Sequence, residues 1–562
     1  MKTGSTYRLH SALLAALVVM AVAVPAFAGN ADDDAEFFTK DYEATQKVAA
    51  GQTALVTIVN SKGNITVTTW DRAEIEVYAA LEMVNIDEVN KELFSRETRV
   101  DITEHADGYK VSVDVPMGKT IDLRNMPRQV RGSVSGRDGG VVKYTPAAEV
   151  DLEVKVPRSM AVQLRTEYGD VRVTGADGNV EVHNQSGHVE LTKLGGACRV
   201  ASNYGSIQIS GCRGGIDVES NSAEVEVSDA GAEVTIRASY EQVMVANAVG
   251  PVRITNESGA VDVTGITKQV DIKSSYANVQ VKHVMAPVSI DCPNGPIDLL
   301  DIGGSIEIAG SYEPITMHDI RGDVVVRTQN SEVEIQAVTG QVDVVTSYGG
   351  VEASDIGGGL RVEASSSEVN ASGIGGDVTV QSTYEAITIV NVQGTCEVQA
   401  ESAAIDVVNI SGDTVLRTSY ESIHAKEIGG SLEAVGSSST VVVEGVKGEL
   451  KVKNSSEYVV VSGTESSIII EGDSSPVEIS KIAELPANSR IKVRTSYSDI
   501  HLTLNDDHGA VITARTTGGE VESDFPMTYS RNGQSTATMT LGGGGCQVDL
   551  VTTEDVYIEK GR

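Results

Sequence analysis

From residue 161 to residue 475, apolar residues come in pairs separated by one position, and the pairs return every 18 residues. Val or Ile stands at 171, 189, 207, 225 and so on to 441, sixteen times without an inserted or deleted residue. Two positions later come Val173, Leu191, Ile209 and Val227, and a second set of pairs follows, such as Val180/Val182, Ile216/Val218, Val270/Ile272 and Ile306/Ile308. A spacing of two is strand alternation, and β-branched residues suit it. Each unit is therefore expected to carry two short strands with one face inward. Corner residues separate the strands. One column reads Gly175, Gly211, Asn247, Asp301, Asn391 and another Gly178, Gly196, Gly322, Gly430, and both suit sharp turns and positive φ. Between these columns Ile302, Ile320, Ile356 and Ile428 are placed to plug the inside of the corner.

A unit of 18 residues cannot bury its own apolar face, whereas stacked units share a continuous core. The fold class expected is all-β: a single long parallel β-solenoid of 18-residue rungs, right-handed in the usual crossover sense, with N- and C-terminal capping segments. Sixteen rungs at about 4.8 Å each make a rod of roughly 75 Å. A Greek-key sandwich would not hold one register through sixteen copies. The ends are less regular. Residues 54–69 read as a degenerate rung, 86–96 as a short helix, and 99–115 as a hairpin turning at Ala106-Asp107-Gly108. The period slips by two at Tyr458, and residues 542–558 read as a final rung. The expected domains are 29–160, degenerate rungs and cap with the helix and a basic loop; 161–475, the regular solenoid; and 476–562, irregular rungs and cap.

Lys2 and Arg8 precede an apolar run from Ala12 to Val24, followed by Ala26-Phe27-Ala28. This is the pattern of a secretory signal peptide over 1–28, too short to span a bilayer. Export to the periplasm, cell surface or medium is the expected localisation, and the later chain has no run long enough for a transmembrane anchor. The net charge of −35 becomes −37 without those two cations, which disfavours nucleic acid and anionic membrane as partners. All five Phe and the single Trp70 lie outside the repeats, so the core is expected to be thin and aliphatic. The five Cys (198, 212, 292, 396, 546) form no closely spaced framework, and buried thiols are expected.

The repeated pairs, the phrase V-P-x-x-x-x-V-x-L-R-T-x-Y-G-D-V over 156–171, its echo over 485–500 and the terminal G-G-G-G and V-T-T motifs resemble the bacterial putative-adhesin β-solenoid family, a domain of unknown function. That resemblance implies an exported, adhesive β-solenoid and carries over no active-site residue.

The candidate chemistry follows the repeat. Tyr occurs at 168, 204, 240, 276, 312, 348, 384 and 420, and Ser or Asn stands midway between, so two versions of one unit alternate. One ring per roughly 9.6 Å is close to the repeat of an extended disaccharide. Aromatic rings with polar tips suit sugar or protein surfaces, and Tyr168, Tyr204, Tyr240, Tyr276, Tyr312, Tyr348, Tyr384 and Tyr420 are the ligand-binding candidates. The bland alternative is that each ring shields the core edge. Residues 119–143 are basic, and Arg124, Arg128, Arg131 and Arg137 are candidates for contact with an anionic partner, against a plain solvated loop.

Polysaccharide lyases and hydrolases also use β-helices, but equal units leave no long loops to build a cleft. His183, His188, His283, His318 and His424 fall in five different columns. Asp301 and Asp319 share a column and could hold calcium, but the same column holds Gly and Asn elsewhere, and the turn-residue reading is preferred. No catalytic residue, metal or cofactor is expected. The expected function is an adhesin or envelope scaffold that binds a glycan or envelope protein through a repetitive face. The alternatives are a carbohydrate-active enzyme and a passive rod that associates end to end.

Overall fold

A computed structural model describes residues 37–48, 54–84, 88–116, 120–122, 141–143, 147–482, 486–531 and 535–561. The signal peptide expected at 1–28 and Arg124, Arg128, Arg131 and Arg137 lie outside the described residues. The chain divides into two units: Met1–Lys40, Leu81–Thr98 and Val115–Glu149 form one, and Asp41–Ala80, Arg99–Asp114 and Val150–Arg562 the other. In the first, the expected helix is Glu88–Glu97, with Phe94 buried, Lys91 over the Phe38 ring and the Lys40 ammonium donating to Ser95 O. A two-stranded antiparallel ribbon, Thr120–Asp122 with Val141–Lys143, belongs to the same unit.

The second unit is a parallel β-solenoid of about 18 turns. Val162 pairs with Val180, Val180 with Cys198, and the spacing of 18 holds to Leu450 with Ile468. The second strand of each turn keeps the same spacing, from Val171↔Val189 to Val459↔Val477. The slip at Tyr458 thus belongs to the ring alone; the strands stay in register to Ser480, because the apolar columns, which set register by burial, do not shift. Four strand columns point inward and are buried throughout, for example Val324, Val326, Val333 and Ile335 within one turn. The plug column is buried from Ala176 to Ile482. Phe and Trp are absent from the core of the regular turns, which leaves their narrow interior to aliphatic side chains, while Phe525 is buried beyond them.

The two corner columns differ in their physics. The column that begins at Gly175 is left-handed in every turn, with φ between 51° and 79° whatever the side chain, including Lys193, Ala337, Asp355 and Glu427. The glycines three positions later need no positive φ; a Cβ on Gly322 would lie 2.5 Å from Gly304 C, and one on Gly430 2.5 Å from Gly412 C. Their small size, rather than the expected positive φ, suits close approach between turns. Ala232, Lys268 and Ala286 share that column, so the crowding is local to the glycine turns.

A left-handed Ala carries a steric cost that Gly lacks, offset in part by the entropy of Gly. Ala337→Gly is expected to stabilise its turn by about 0.5–1 kcal/mol. Slower amide exchange over residues 324–354 is the readout; faster exchange would contradict the strain argument.

The ends depart from sequence order. The last strands in the chain do not form the last rung. Cys546–Thr552 lies between Arg490–Arg494 and Ala510–Thr516, pairing Val548 with both Ile491 and Ile512. Val556–Lys560 lies likewise between Ile500–Leu504 and Val521–Ser523. Ala510–Thr516 is then covered by an antiparallel strand, Ser535–Leu541, which also pairs with Thr528–Arg531. An antiparallel cover blunts that strand as a template for end-to-end growth. At the other end Leu55–Lys62 is inserted between Ala161–Tyr168 and Gly108–Asp114. The expected hairpin is present, Arg99–His105 antiparallel to Gly108–Asp114.

All five cysteines are buried and unbridged. Burial pushes the Cys396 thiol up to about 12.

Candidate functional site: a tyrosine line on one corner

Each ring sits at the corner between the two strands of a turn. Strand alternation stops there, so a side chain can project outward with no neighbour above it but Ser or Asn. The pairing Tyr168↔Ser186↔Tyr204↔Ser222 places the alternation in one column, and Tyr348↔Ser366↔Tyr384↔Ser402 repeats it. All eight candidate tyrosines are exposed, at 52–67 % of their surface. They do not fold over the core edge.

A buried polar column does the shielding instead. Asn184, Ser202, Asn256, Thr346, Ser382, Thr418 and Asn454 point inward just before the corner. Most of them donate to corner carbonyls rather than to one another along the rod. Thr346 Oγ1 donates to Tyr348 O at 2.9 Å, Ser382 Oγ to Tyr384 O at 3.0 Å, and Asn454 Nδ2 to Ser439 O at 2.8 Å. Buried carbonyls cost free energy unless satisfied, and these side chains lie closer to them than to each other. The backbone under the rings is thereby held while the rings stay outside.

Two further rings continue the line and were missed as candidates. Position 456, where the alternation calls for Tyr, holds Ser, and Tyr458 supplies an exposed ring on the same corner. Ile468↔Ile491 carries the register over a five-residue insertion and brings Tyr497 into the tyrosine column, 74 % exposed. The shared phrase Arg-Thr-x-Tyr at 165–168 and 494–497 was the signal that could have found it. Every second turn from the first to the nineteenth thus carries a ring, ten in all, over roughly 85 Å.

Grooves accompany the line on the side of the first strand. One of about 600 Å³ is lined by Ser347, Ser365, Thr383, Glu401 and Ser419, each one residue before the tyrosine column, with Glu363, Gln381 and Gln399 along its wall. Ala364 and Ala400 replace the larger inward polar residue in two of these turns and open the floor. Another of about 500 Å³ uses the same columns ten turns earlier, with Arg165, His183, Gln185 and Asn203.

The charged neighbours of the rings differ in their partners. Arg417, three residues before Tyr420, is tied to Glu433 at 3.2 Å and lies near Glu397; Arg237 is tied to Asp217 at 2.9 Å. These cations are held in ion pairs with carboxylates of neighbouring turns. Among the described residues, Glu241, Glu313, Glu385 and Glu421, each next to a ring, make no ion pair.

Asp301 and Asp319 stay in one column on adjacent turns, flanked by the pairings Leu300↔His318 and Ile302↔Ile320. Asp301 is hydrogen-bonded to His283 at 3.0 Å and to Arg321 at 2.8 Å, and these partners, His283 first, hold its carboxyl below the usual range. Both oxygens are taken, and Asp319 is not among its partners. Among the described residues no group of three or more His, Cys, Asp or Glu is placed to hold a metal ion. The five repeat histidines stand apart, beside Glu181, Ser206, Asp301, Glu334 and Asp406 in turn. No helix among the described residues is long and apolar enough to cross a membrane.

Comparison with known proteins bears on the fold more than on the line. No curated protein matches the chain. A crystal structure of a putative cell adhesion protein from Clostridium sporogenes aligns with 47 % of this chain and 99 % of that one, at 7 % identity and a TM-score of 0.19, too slight a likeness to carry an argument. Residues 39–301 match the Toastrack DUF4097 family model, whereas the strict register continues to Ser480. Over residues 39–301 the chain is thus matched to the Toastrack family, of unknown function, in keeping with the putative-adhesin β-solenoid resemblance carried by its motifs.

Proposed function

We propose that the protein is an exported, non-catalytic β-solenoid of the cell envelope that binds an extended polymer, glycan or protein, along its tyrosine line and acts as an adhesin or scaffold. The observation that carries this reading is the exposure of ten rings in one line. A fold that needed tyrosine only to close its corners would bury it, and here the inward Asn, Ser and Thr column closes them instead. The rings alternate with Ser or Asn, but their regular row along one corner sets them apart from singly scattered surface residues. Repetition also multiplies weak contacts, because each ring that docks raises the effective concentration of the next.

Replacing Tyr240, Tyr312, Tyr384 and Tyr420 together by Ala is expected to reduce sedimentation with isolated envelope material at least tenfold, since exposed aromatic anchors contribute on the order of 1 kcal/mol or more each. The far-ultraviolet circular dichroism should not change. Undiminished binding would remove the line from the function, and unfolding would make the rings structural.

A further inference from the structure

The corner that carries the rings is made of four residues per turn, 167–170 in the first turn and 496–499 in the nineteenth. Among the 76 residues so defined there are fourteen Asp or Glu and one His, and neither Lys nor Arg. Elsewhere on the solenoid cations are plentiful, and several pair with carboxylates: Arg253 with Glu233, Arg327 with Asp343, Arg417 with Glu433. Several first strands pair their charges across neighbouring turns, and the corner carries carboxylates without a cation of its own. A ligand that lies on the corner itself therefore meets carboxylates there with no fixed cation among them, although the groove wall beside it includes Arg165.

Building on the tyrosine-line reading, we infer that the polymer bound there is an amino-bearing β-linked polysaccharide, its sugar faces on the rings and its ammonium groups beside the corner carboxylates. Three observations select it. The corner carboxylates repel polyuronates, phosphate-bearing polymers and nucleic acids, and attract a polycation. Ring spacing selects the backbone. A β-strand presents side chains to one face every ~6.7 Å and loses step with rings ~9.6 Å apart, whereas an extended disaccharide repeat keeps it. Groove chemistry decides between the remaining polymers. A polyproline II peptide repeats every ~9.3 Å and would also keep step, but its bare rings need apolar slots. Ser347, Ser365, Thr383, Gln381 and Gln399 offer hydroxyl and amide groups instead, which match sugar hydroxyls. Glu241, Glu313, Glu385 and Glu421, next to their rings and unpaired among the described residues, are the assigned ammonium contacts.

The test uses the protein with residues 29–562 and three probes of equal length: a β-1,4-linked glucosamine oligomer, its N-acetylated form and a β-linked polyuronate, titrated by calorimetry where the amine is protonated. Affinity is expected to fall in that order, roughly tenfold at each step, and only the first should weaken steeply with salt. Exchange of Glu241, Glu313, Glu385 and Glu421 for Gln should lower glucosamine-oligomer affinity about tenfold and leave the N-acetylated oligomer unchanged. Equal binding of the polyuronate, or no effect of the Gln exchanges, would overturn the charge assignment. Tighter binding of a Lys- and Pro-rich peptide than of any glycan would overturn the choice of polymer. The four Tyr→Ala exchanges serve as the separate control. If they leave the N-acetylated oligomer bound, the tyrosine line fails even where the charge ranking stands.

Discussion

Deletion of residues 546–562 is expected to unfold the C-terminal cap rather than shorten the solenoid by one turn. In an array built in sequence order, the last rung has one neighbour, and its loss leaves the others in place. Here the last strands lie inside the stack, between 490–504 and 510–523, so their removal takes the partner from both sides. Cys546, Val548, Leu550, Val556 and Ile558 are all buried. At about 2 kcal/mol each, their apolar burial is worth about 10 kcal/mol, comparable with the whole stability of an ordinary domain. Strands 490–494 and 500–504 would be left with open edges, a template for aggregation. Hydrogen exchange should show protection lost over 510–541 and retained near 300, with new oligomers by light scattering. Intact protection over 510–541 would mean that the cap stands without the inserted strands.

Val261→Asp is expected to break the array in its middle. Val261 is 1 % exposed and stacked between Val243 and Val279. A carboxylate there has no partner among the aliphatic columns, and burying it costs several kcal/mol. Neighbouring turns provide all the tertiary contacts of a solenoid turn, so the damage should stay local and appear as a new protease site near 261. The exchange Asp262→Asn is the control, one residue further on the outer side of the same strand, and should shift stability by no more than about 0.5 kcal/mol. Equal sensitivity at 261 and 262 would contradict the inward assignment.

These two tests divide along what was legible. Val261 was readable from period alone, because one residue in two and one turn in eighteen is a pattern that only a stacked parallel sheet satisfies over so many copies. The inserted strands were not. Residues 542–558 read correctly as a rung, but their place depends on which edges are left open once 491–504 and 510–523 have formed, and local pattern carries no information on that. The candidate site divides in the same way. Eight tyrosines declared themselves by spacing; Tyr458 and Tyr497 did not, since one sits two residues off period and the other beyond a five-residue insertion. Arg237 and Arg417 stand three residues before a ring in sequence, yet each pairs with a carboxylate of a neighbouring turn, a partner that the local sequence does not show.

By itself the sequence determined the repeat, the inward columns and the plug, because burial of apolar side chains is a property of each position within an 18-residue turn. It marked the left-handed corner column through Gly, Asn and Asp, whereas at Ala337 and Glu427 the stacked turns impose that geometry. Only the tertiary structure decided which way the tyrosines face, which partner each arginine takes and where the terminal strands enter the stack. Those depend on contacts between turns and on open sheet edges, which exist only once the turns are stacked.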